Sequence, residues 1–489
     1  MLLNPGTTCW RVGTAPRAAL LIDMADYFTA AKAAMLGARR SIHLLNWAFE
    51  ADASLDPTPD GGARADRIGD FLKDLARDRP EVDVRVLCWR SALPVAATQG
   101  FFTLRDRGIF AGSGVRFVLD ASLPFGACHH QKVLVVDDAV AFCGGGDFGP
   151  DRWDTPAHLD DDPRRRKRIG GLGYFASRHE VMGLVDGPPA RALGELFRER
   201  WRRATGETLG APAPGPTAVW PDIVTPQFRE VRAGLSRTSA PWRDWPQARE
   251  VEALTLASIA AARRCIYLEN QYFTSPIVAE ALAAQLARAD GPEVIIISTR
   301  RSPSWFDQMT MDRTRSNFIK RLKAADVHGR FLAYSPRTAE GRMIIVHAKL
   351  AIIDEDLLRI GSANMNNRSA GFDTECDLTY EAAGETAVAT RTAIGALRSR
   401  LLAHWLGCAP AILDEAVARE GAIGPAIEAL RRDHERLTPI EAKPLGPLAA
   451  FIAAFHLGDP LGPADSLRPL ARRRLLAARV ESLANDLTR

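Results

Sequence analysis

Residues 129–138 read HHQKVLVVDD, and residues 346–355 read VHAKLAIIDE. Each stretch contains His-x-Lys-x4-Asp, as His130, Lys132 and Asp137 in the first and His347, Lys349 and Asp354 in the second. One imidazole, one ammonium and one carboxylate at identical spacing, twice, is hard to obtain from packing alone. The repetition implies one active site assembled from two half-sites. In an extended chain residues i and i+2 face the same way, so each histidine points with its lysine. The apolar residues that follow, Val133 to Val136 and Leu350 to Ile353, carry each strand into a core and leave the polar pair at its opening end. Asp137 and Asp354 come five residues after the lysines, at or just past the strand's end. A carboxylate there could reach a lysine or fix an imidazole tautomer, and spacing does not choose between these roles.

The flanking sequence repeats as well. ARRSIHLLNW (38–47) is answered by ARRCIYLENQ (262–271), and FLKDLARDRPEVDVRVLCWR (71–90) by ALAAQLARADGPEVIIISTR (281–300). After the motifs, FCGGGDFGPDRWD (142–154) is answered by RIGSANMNNRS (359–369). An internal duplication is the simplest reading. Each unit runs helix, strand, helix, strand, motif strand and glycine-rich turn, the first helix being read from Ala19 onward. Short Val/Ile/Leu-rich strands alternating with helices predict an α/β fold of two duplicated domains, each a mostly parallel mixed sheet between helices. The expected division is a first domain over 1–205, a Pro/Gly-rich linker with a possible crossover strand at VRAGLSRTS (231–239) over 206–246, a second domain over 247–395, and a helical C-terminal extension over 396–489.

An imidazole attacks an electrophile or carries a proton near neutral pH, and lysine is a point charge suited to a phosphate oxygen. Two facing pairs supply a nucleophile, an acid and two cations for the oxyanions that develop on phosphorus. This is phosphodiester chemistry that requires no metal or other cofactor. RIGSANMNNRS adds Ser362, Asn364 and Asn366 as small polar groups beside the phosphate, with Arg368 extending the positive field; the corresponding positions in the first unit are Gly145, Asp147 and Gly149, followed by Arg152. Tyr272, Phe273, Trp305, Phe306 and Met309 could line an entrance or serve as packing. A zinc reading of His129-His130 is weak, because adjacent residues of an extended segment point to opposite faces and only the distant His158 and His179 could complete a ligand set.

The chain has 489 residues, 46% of them hydrophobic and 25% charged, and a net charge of +4. That balance gives no electrostatic footprint for nucleic acid. The basic run Arg164 to Arg168 directly follows an acidic one, as a solvated loop or as an edge of a substrate entrance touching lipid headgroups. Seven cysteines without close pairing read as reduced, buried side chains. The start MLLNPGTTCWRVG has no cationic region followed by an apolar one, and no apolar run reaches 18 residues. The expected address is therefore cytoplasmic or peripheral to a membrane, with export by a route that uses no cleaved signal as the alternative. PLGPLAAFIAAFHLGDP (444–460) is read as a helix packed on the second domain rather than an interfacial anchor, since it has no basic polar face.

These motifs resemble the phospholipase D superfamily, whose His-x-Lys-x4-Asp signature both copies match and whose polar turn after the second copy is similar to GSANMNNRS. Within it, GGGDFGPDRWDTPAH, HEVMGLVDGPPARALGELFRERW and IYLENQYF are similar to segments of the plant and animal phospholipases D. The likeness covers roughly residues 5–395 and implies two domains related by a pseudo-twofold whose motifs meet. It further implies that His130 attacks phosphorus to form a phosphohistidine, while His347 protonates the leaving alcohol and then activates water or another alcohol. Lys132, Lys349, Asn364 and Ser362 would contact phosphate oxygens, and Asp137 and Asp354 would support the catalytic groups. Glu375, in DTECD, would orient His130 across the interface, with Asp147 in the symmetric role. The implied partner is a glycerophospholipid at a membrane or micelle surface, with water or an alcohol as acceptor. The activity implied is release of a headgroup and phosphatidic acid, with cardiolipin synthase-like phosphatidyl transfer as the alternative and nucleic acid a lesser one. A monomer suffices for this chemistry. The catalytic pattern starts near Pro5, so recruitment through an N-terminal C2 domain or a PX and PH pair is not expected.

Overall fold

Alternate side chains of the motif strands enter different cores in the computed structural model, which describes residues 1–59, 66–91, 102–167, 173–213, 220–431 and 436–487. Val133 and Val135 share a core with Leu350 and Ile352, whereas Leu134 and Val136 enter a second core and Ala351 and Ile353 a third. Strands buried on both faces need helices on both faces. Met24–Leu36 and Ile68–Asp78 cover the outer face of the first half, and Pro276–Ala287 and Trp305–Ala325 that of the second. Pro188–Thr205 and Ala387–Leu406 contribute to the shared core.

The strands form one 16-stranded mixed sheet. From one edge inward the order is Val115–Asp120, Asp83–Trp89, Ser41–Asn46, Val133–Val136, Val140–Gly144, Val181–Asp186 and Arg11–Ile22. From the other it is Phe331–Pro336, Glu293–Ile297, Cys265–Asn270, Lys349–Ile353, Leu357–Gly361, Glu375–Glu381 and Phe228–Ser239, with Leu437–Pro439 added outside and the short Ala248–Arg249 paired with the end of Phe228–Ser239. The two series correspond strand by strand and meet where Arg11–Ile22 pairs antiparallel with Phe228–Ser239.

This corrects the expectation of one mostly parallel sheet per unit. In each half only the outer three strands of the series run parallel. The remaining described pairings of the large sheet are antiparallel, and a short hairpin, not a helical crossover, leads out of each motif strand. Ala19 to Ile22, read as the start of a helix, close the central strand against Val181–Asp186. A short apolar run carries no period of its own, and its neighbours decide its form. The strand expected at Val231 to Ser239 starts at Phe228 and also pairs with Glu375–Glu381. Arg168, residues 214–219 of the Pro/Gly-rich stretch and residues 432–435 of the tail lie outside the described residues.

The sheet bends so that the inner strands of the two halves face each other. Cys143 Sγ lies 3.4 Å from the Cys376 carbonyl oxygen, and Tyr380 Oη donates to the Leu184 carbonyl at 3.4 Å. Among the described residues no single helix is long and apolar enough to cross a membrane; the pair Gly384–Leu406 and Pro410–Glu420 has the composition but is bent by 101°.

A Cβ on Gly183 would stand 2.9 Å from Leu378 Cδ2 and 3.3 Å from Tyr380 Oη. Gly183→Val is expected to overpack this junction and destabilise the protein by about 1–3 kcal/mol. A lower urea midpoint checks this, and an unchanged midpoint would contradict the face-to-face packing.

Candidate active site

The two histidines are held by the same crossed arrangement. His130 donates its backbone N–H to the Thr374 carbonyl at 2.9 Å, and its Nδ1 lies 3.0 Å from Glu375 Oε2. His347 donates its backbone N–H to the His179 carbonyl at 2.8 Å, and its Nδ1 stands 3.1 Å from Glu180 Oε2, off the line of a good hydrogen bond. Each carboxylate therefore comes from the opposite half and directly follows the residue whose carbonyl takes the histidine N–H. Short parallel pairing of Arg178–His179 with Ile345–Val346 fixes one side, and a bridge between His129 and Thr374 fixes the other. Glu375 matches its expected place. The partner of His347 is Glu180, which corrects the assignment of that role to Asp147.

The lysines lie beside the histidines as the i, i+2 spacing predicts. Lys132 Nζ donates to the His130 carbonyl at 2.7 Å, lies 3.5 Å from Asp147 Oδ2 and sits over the Trp47 ring. Lys349 Nζ donates to the His347 carbonyl at 2.5 Å and to Gln271 Oε1 at 3.3 Å. Burial, together with the charges of Lys132 and Lys349, holds His130 well below the usual imidazole range. Burial and then Lys349, Arg152 and Arg178 do the same to His347. Burial pushes the Glu375 carboxyl up to about 8 and that of Glu180 up to about 7, and lowers Lys349 to about 7. A neutral imidazole whose Nδ1 faces a carboxylate has its Nε2 lone pair available. Two such rings beside two amines can attack a phosphodiester and shuttle one proton.

The two motif aspartates are elsewhere. Asp137 accepts the backbone N–H groups of Arg39, Arg40 and Ser41 at 2.8–2.9 Å, and Asp354 those of Arg263, Arg264 and Cys265 at 2.7–2.9 Å. A five-residue offset along a strand is roughly 16 Å, so neither carboxylate reaches its lysine or histidine. Both residues have positive φ, 57° and 51°, at the hairpin turn, a conformation that Asp adopts more readily than most residues. The expected catalytic support is corrected to a structural clasp between the helix-to-strand turn and the motif hairpin.

The polar turns divide between cleft and scaffold. Asn364 and Asn366 line the cleft, and Asn364 Oδ1 is buried with no hydrogen-bond partner. The Asn366 side chain caps the short helix Asn367–Gly371 by accepting from Ser369 N–H. Ser362 Oγ donates to Glu375 Oε2 and Ser369 Oγ to Glu375 Oε1 at 2.6 Å, so Ser362 serves the carboxylate and is not aimed at a phosphate. Arg368 lines the cleft but forms a bidentate pair with Asp373. Asp147 accepts from Asn46 Nδ2, Trp47 N–H and Ala48 N–H. Glu180, Arg178 and Gln271 escaped the sequence reading. The signal for Glu180 was available: Glu180 and Glu375 occupy the same place, just before or at the start of corresponding strands.

These groups open into a cleft of about 1480 Å³ with Trp47, Trp89, Phe125, Trp153, Tyr272 and Phe306 on its walls. Phe273 belongs to the core, and Trp305 is exposed. His129 faces away, with Nδ1 3.0 Å from Thr374 Oγ1 and Nε2 2.9 Å from Asp120 Oδ2. His158 and His179 do converge on Asp23 with possible ligand atoms within 4.8 Å of one another. Both nitrogens of His179 are committed, however, to Asp23 Oδ1 at 2.9 Å and Glu269 Oε2 at 2.8 Å. Although burial opposes its charge, Asp23 and Glu269 push His179 up to about 10. With both nitrogens committed to carboxylates, His179 has no lone pair to offer a metal.

A profile described as "Cardiolipin synthase, PLD-like domain" matches residues 255–393. Phospholipase D A of Dictyostelium discoideum is 24% identical over 424 residues, which are 74% of this chain and 32% of that protein. Cardiolipin synthase A of Cronobacter sakazakii is 25% identical over 332 residues, 66% of this chain and 59% of that protein. Residues 255–393 thus carry a PLD-like domain, and the chain is similar to members of the phospholipase D and cardiolipin synthase superfamily. It spans less than two thirds of either relative's length. Among solved structures, the phosphatidylserine synthase of Haemophilus influenzae Rd KW20 matches with a TM-score of 0.51 at 12% identity, over 78% of this chain and 86% of that one, a likeness of fold. Identities this similar do not narrow the superfamily likeness to the plant and animal phospholipases D.

Two predictions concern this site. Asp137→Ala or Asp354→Ala removes an acceptor from three backbone N–H groups and is expected to cost about 3 kcal/mol in denaturant unfolding; equal stability would contradict the clasp. Glu375 has a folded pKa raised above its unfolded value, so its contribution to stability is fully present below about 4.5 and is lost as pH rises through about 8. Glu375→Gln is therefore expected to gain stability relative to wild type between about pH 5 and 9, read as a widening difference in Tm. A constant difference would contradict the burial of that carboxyl.

Proposed function

We propose that the protein transfers the phosphatidyl group of a glycerophospholipid from one alcohol to another through a covalent phosphohistidine, in the manner of a cardiolipin synthase. The observation that carries this reading is the convergence of His130, His347 and Lys132 on one cleft, with Lys349 bonded beside them to the His347 carbonyl and Gln271 and with each imidazole backed by a carboxylate from the other half. His130 Nε2 attacks phosphorus, the bond from phosphorus to the leaving alcohol breaks, and His347 supplies the proton to that oxygen. The acceptor alcohol then gives its proton to His347 and attacks phosphorus, and the phosphorus–nitrogen bond breaks. Lys132 and Lys349 hold the non-bridging oxygens, with Asn364 as a further donor. Glu375 and Glu180 are positioning residues. Burial and neighbouring cations keep both imidazoles neutral at rest. That state suits His130 as nucleophile. The bound phosphodiester's negative charge offsets the lysines and favours protonation of His347. No metal or cofactor enters these steps.

The match to the cardiolipin synthase profile supports transfer, and so does the size of the cleft. About 1480 Å³ exceeds the 300–1,000 Å³ usual for one small ligand and leaves room for a lipid alcohol. Hydrolysis, with water as acceptor, is the second reading, favoured by the long alignment with the amoebal phospholipase D. The matching order of the two strand series supports two duplicated domains related by a pseudo-twofold, divided near the strand Phe228–Ser239.

Incubation with phosphatidylglycerol is expected to yield cardiolipin and glycerol. Phosphatidic acid as the sole lipid product would replace transfer by hydrolysis, and failure to release any headgroup from phosphatidylglycerol, phosphatidylethanolamine or phosphatidylcholine would overturn both. His130→Ala is expected to lower turnover at least about 10⁴-fold and His347→Ala about 10²- to 10⁴-fold. Near-normal turnover in either variant would contradict the assignment.

A further inference from the structure

Among the described residues, large apolar side chains at the mouth of the cleft and beside it are exposed. Phe125 and Phe306 line the cleft and are 77% and 55% exposed, and Trp305, next to Phe306 at the start of Trp305–Ala325, is 73% exposed. The helix Pro447–Ala454 packs beside Trp305–Ala325 and turns Ile452 and Ala453 inward. Its Leu448 and Phe451, three residues apart and so on one face, are 66% and 51% exposed. The helix is joined to the site. Gly458, just beyond it, lines the cleft against Phe306. Asp459 accepts from Thr274 Oγ1 at 2.8 Å and from the Arg368 N–H at 2.9 Å, which fastens this segment to the turn bearing Asn366 and Arg368.

We infer that Trp305, Leu448 and Phe451, with Phe125 and Phe306 at the opening, form a docking surface for an anionic lipid bilayer that brings the cleft onto its substrate. The inference rests on the phospholipid reading of the cleft. Charge complementarity selects this occupant. Arg164, Arg166 and Lys167 lie along the same cleft, with Arg166 and Lys167 exposed, and Arg473 lies 5.1 Å from the Phe455 ring that contacts Phe451. Aromatic and aliphatic side chains flanked by cations are the composition that partitions into an anionic headgroup layer. A cluster of this kind left bare on a soluble surface marks an interaction site. It also gives the C-terminal extension a role beyond packing, with basic charge supplied from the first half of the chain and not from the helix's own sequence.

The test is co-sedimentation of the full chain with vesicles of phosphatidylcholine, alone or mixed with phosphatidylglycerol. Wild type is expected to bind the mixed vesicles more tightly than the neutral ones. Trp305→Ser/Leu448→Ser/Phe451→Ser is expected to bind the mixed vesicles at least about tenfold more weakly, while keeping its turnover of a monomeric short-chain phospholipid. Leu448→Ser alone, with a smaller loss in the same direction, serves if the triple variant fails to fold. Equal vesicle binding by variant and wild type would overturn the inference. So would a wild-type dimer in sedimentation velocity that the substitutions dissolve, since the surface would then be covered by a second copy. Binding is read without turnover, so failure of the enzymatic reading and failure of the docking surface are separate results.

Discussion

Each histidine of the repeated motif is backed by a carboxylate from the other half of the chain, and that crossed pairing is the constraint around which the structure is arranged. His130 needs Glu375 and His347 needs Glu180, so neither imidazole has its environment until both halves have met. The groups brought together are costly to bury. Both imidazoles and both carboxyls are displaced toward their neutral forms by loss of water. What offsets this is the continuous sheet, the facing inner strands and the fixed His179 imidazolium held between Asp23 and Glu269, one carboxylate from each half. Stability and reactivity are coupled through the same interface.

The repeat was legible because chemistry and period agree at each copy. Histidine and lysine two residues apart share a face, and the four residues after them are apolar in both halves. Strand direction was not legible. An apolar strand looks alike whether a crossover helix or a hairpin delivers it, and here the hairpins after Val133–Val136 and Lys349–Ile353 turn the inner sheet antiparallel. The motif aspartates misled for a related reason. Their spacing from lysine is constant because the hairpin turn requires it, and their carboxylates hold backbone amides at the strand's far end. Glu180 belongs to no short motif, and only the pairing of corresponding strands reveals it. Ser362 has the composition of a phosphate ligand, but its hydroxyl is taken by Glu375.

The cleft joins two environments. At its floor sit the imidazoles and amines, and Lys349 is lowered to about 7 by burial even with Glu180 beside it. A phosphodiester entering there replaces lost water with fixed charge. Toward the mouth the walls become aromatic, and the C-terminal helices, outside the repeat, supply part of that rim through Gly458 and the Asp459 anchor. A substrate with an anionic centre and long apolar chains matches this gradient better than a polyanionic strand would.

That a histidine of this shared site carries the phosphatidyl group is decided by rapid alkaline quenching during turnover of a phosphorus-labelled phospholipid, followed by peptide mapping at alkaline pH. Label that is stable in base and labile in acid is expected on His130. Turnover with no label on the protein, or with label on His347 alone, would contradict it.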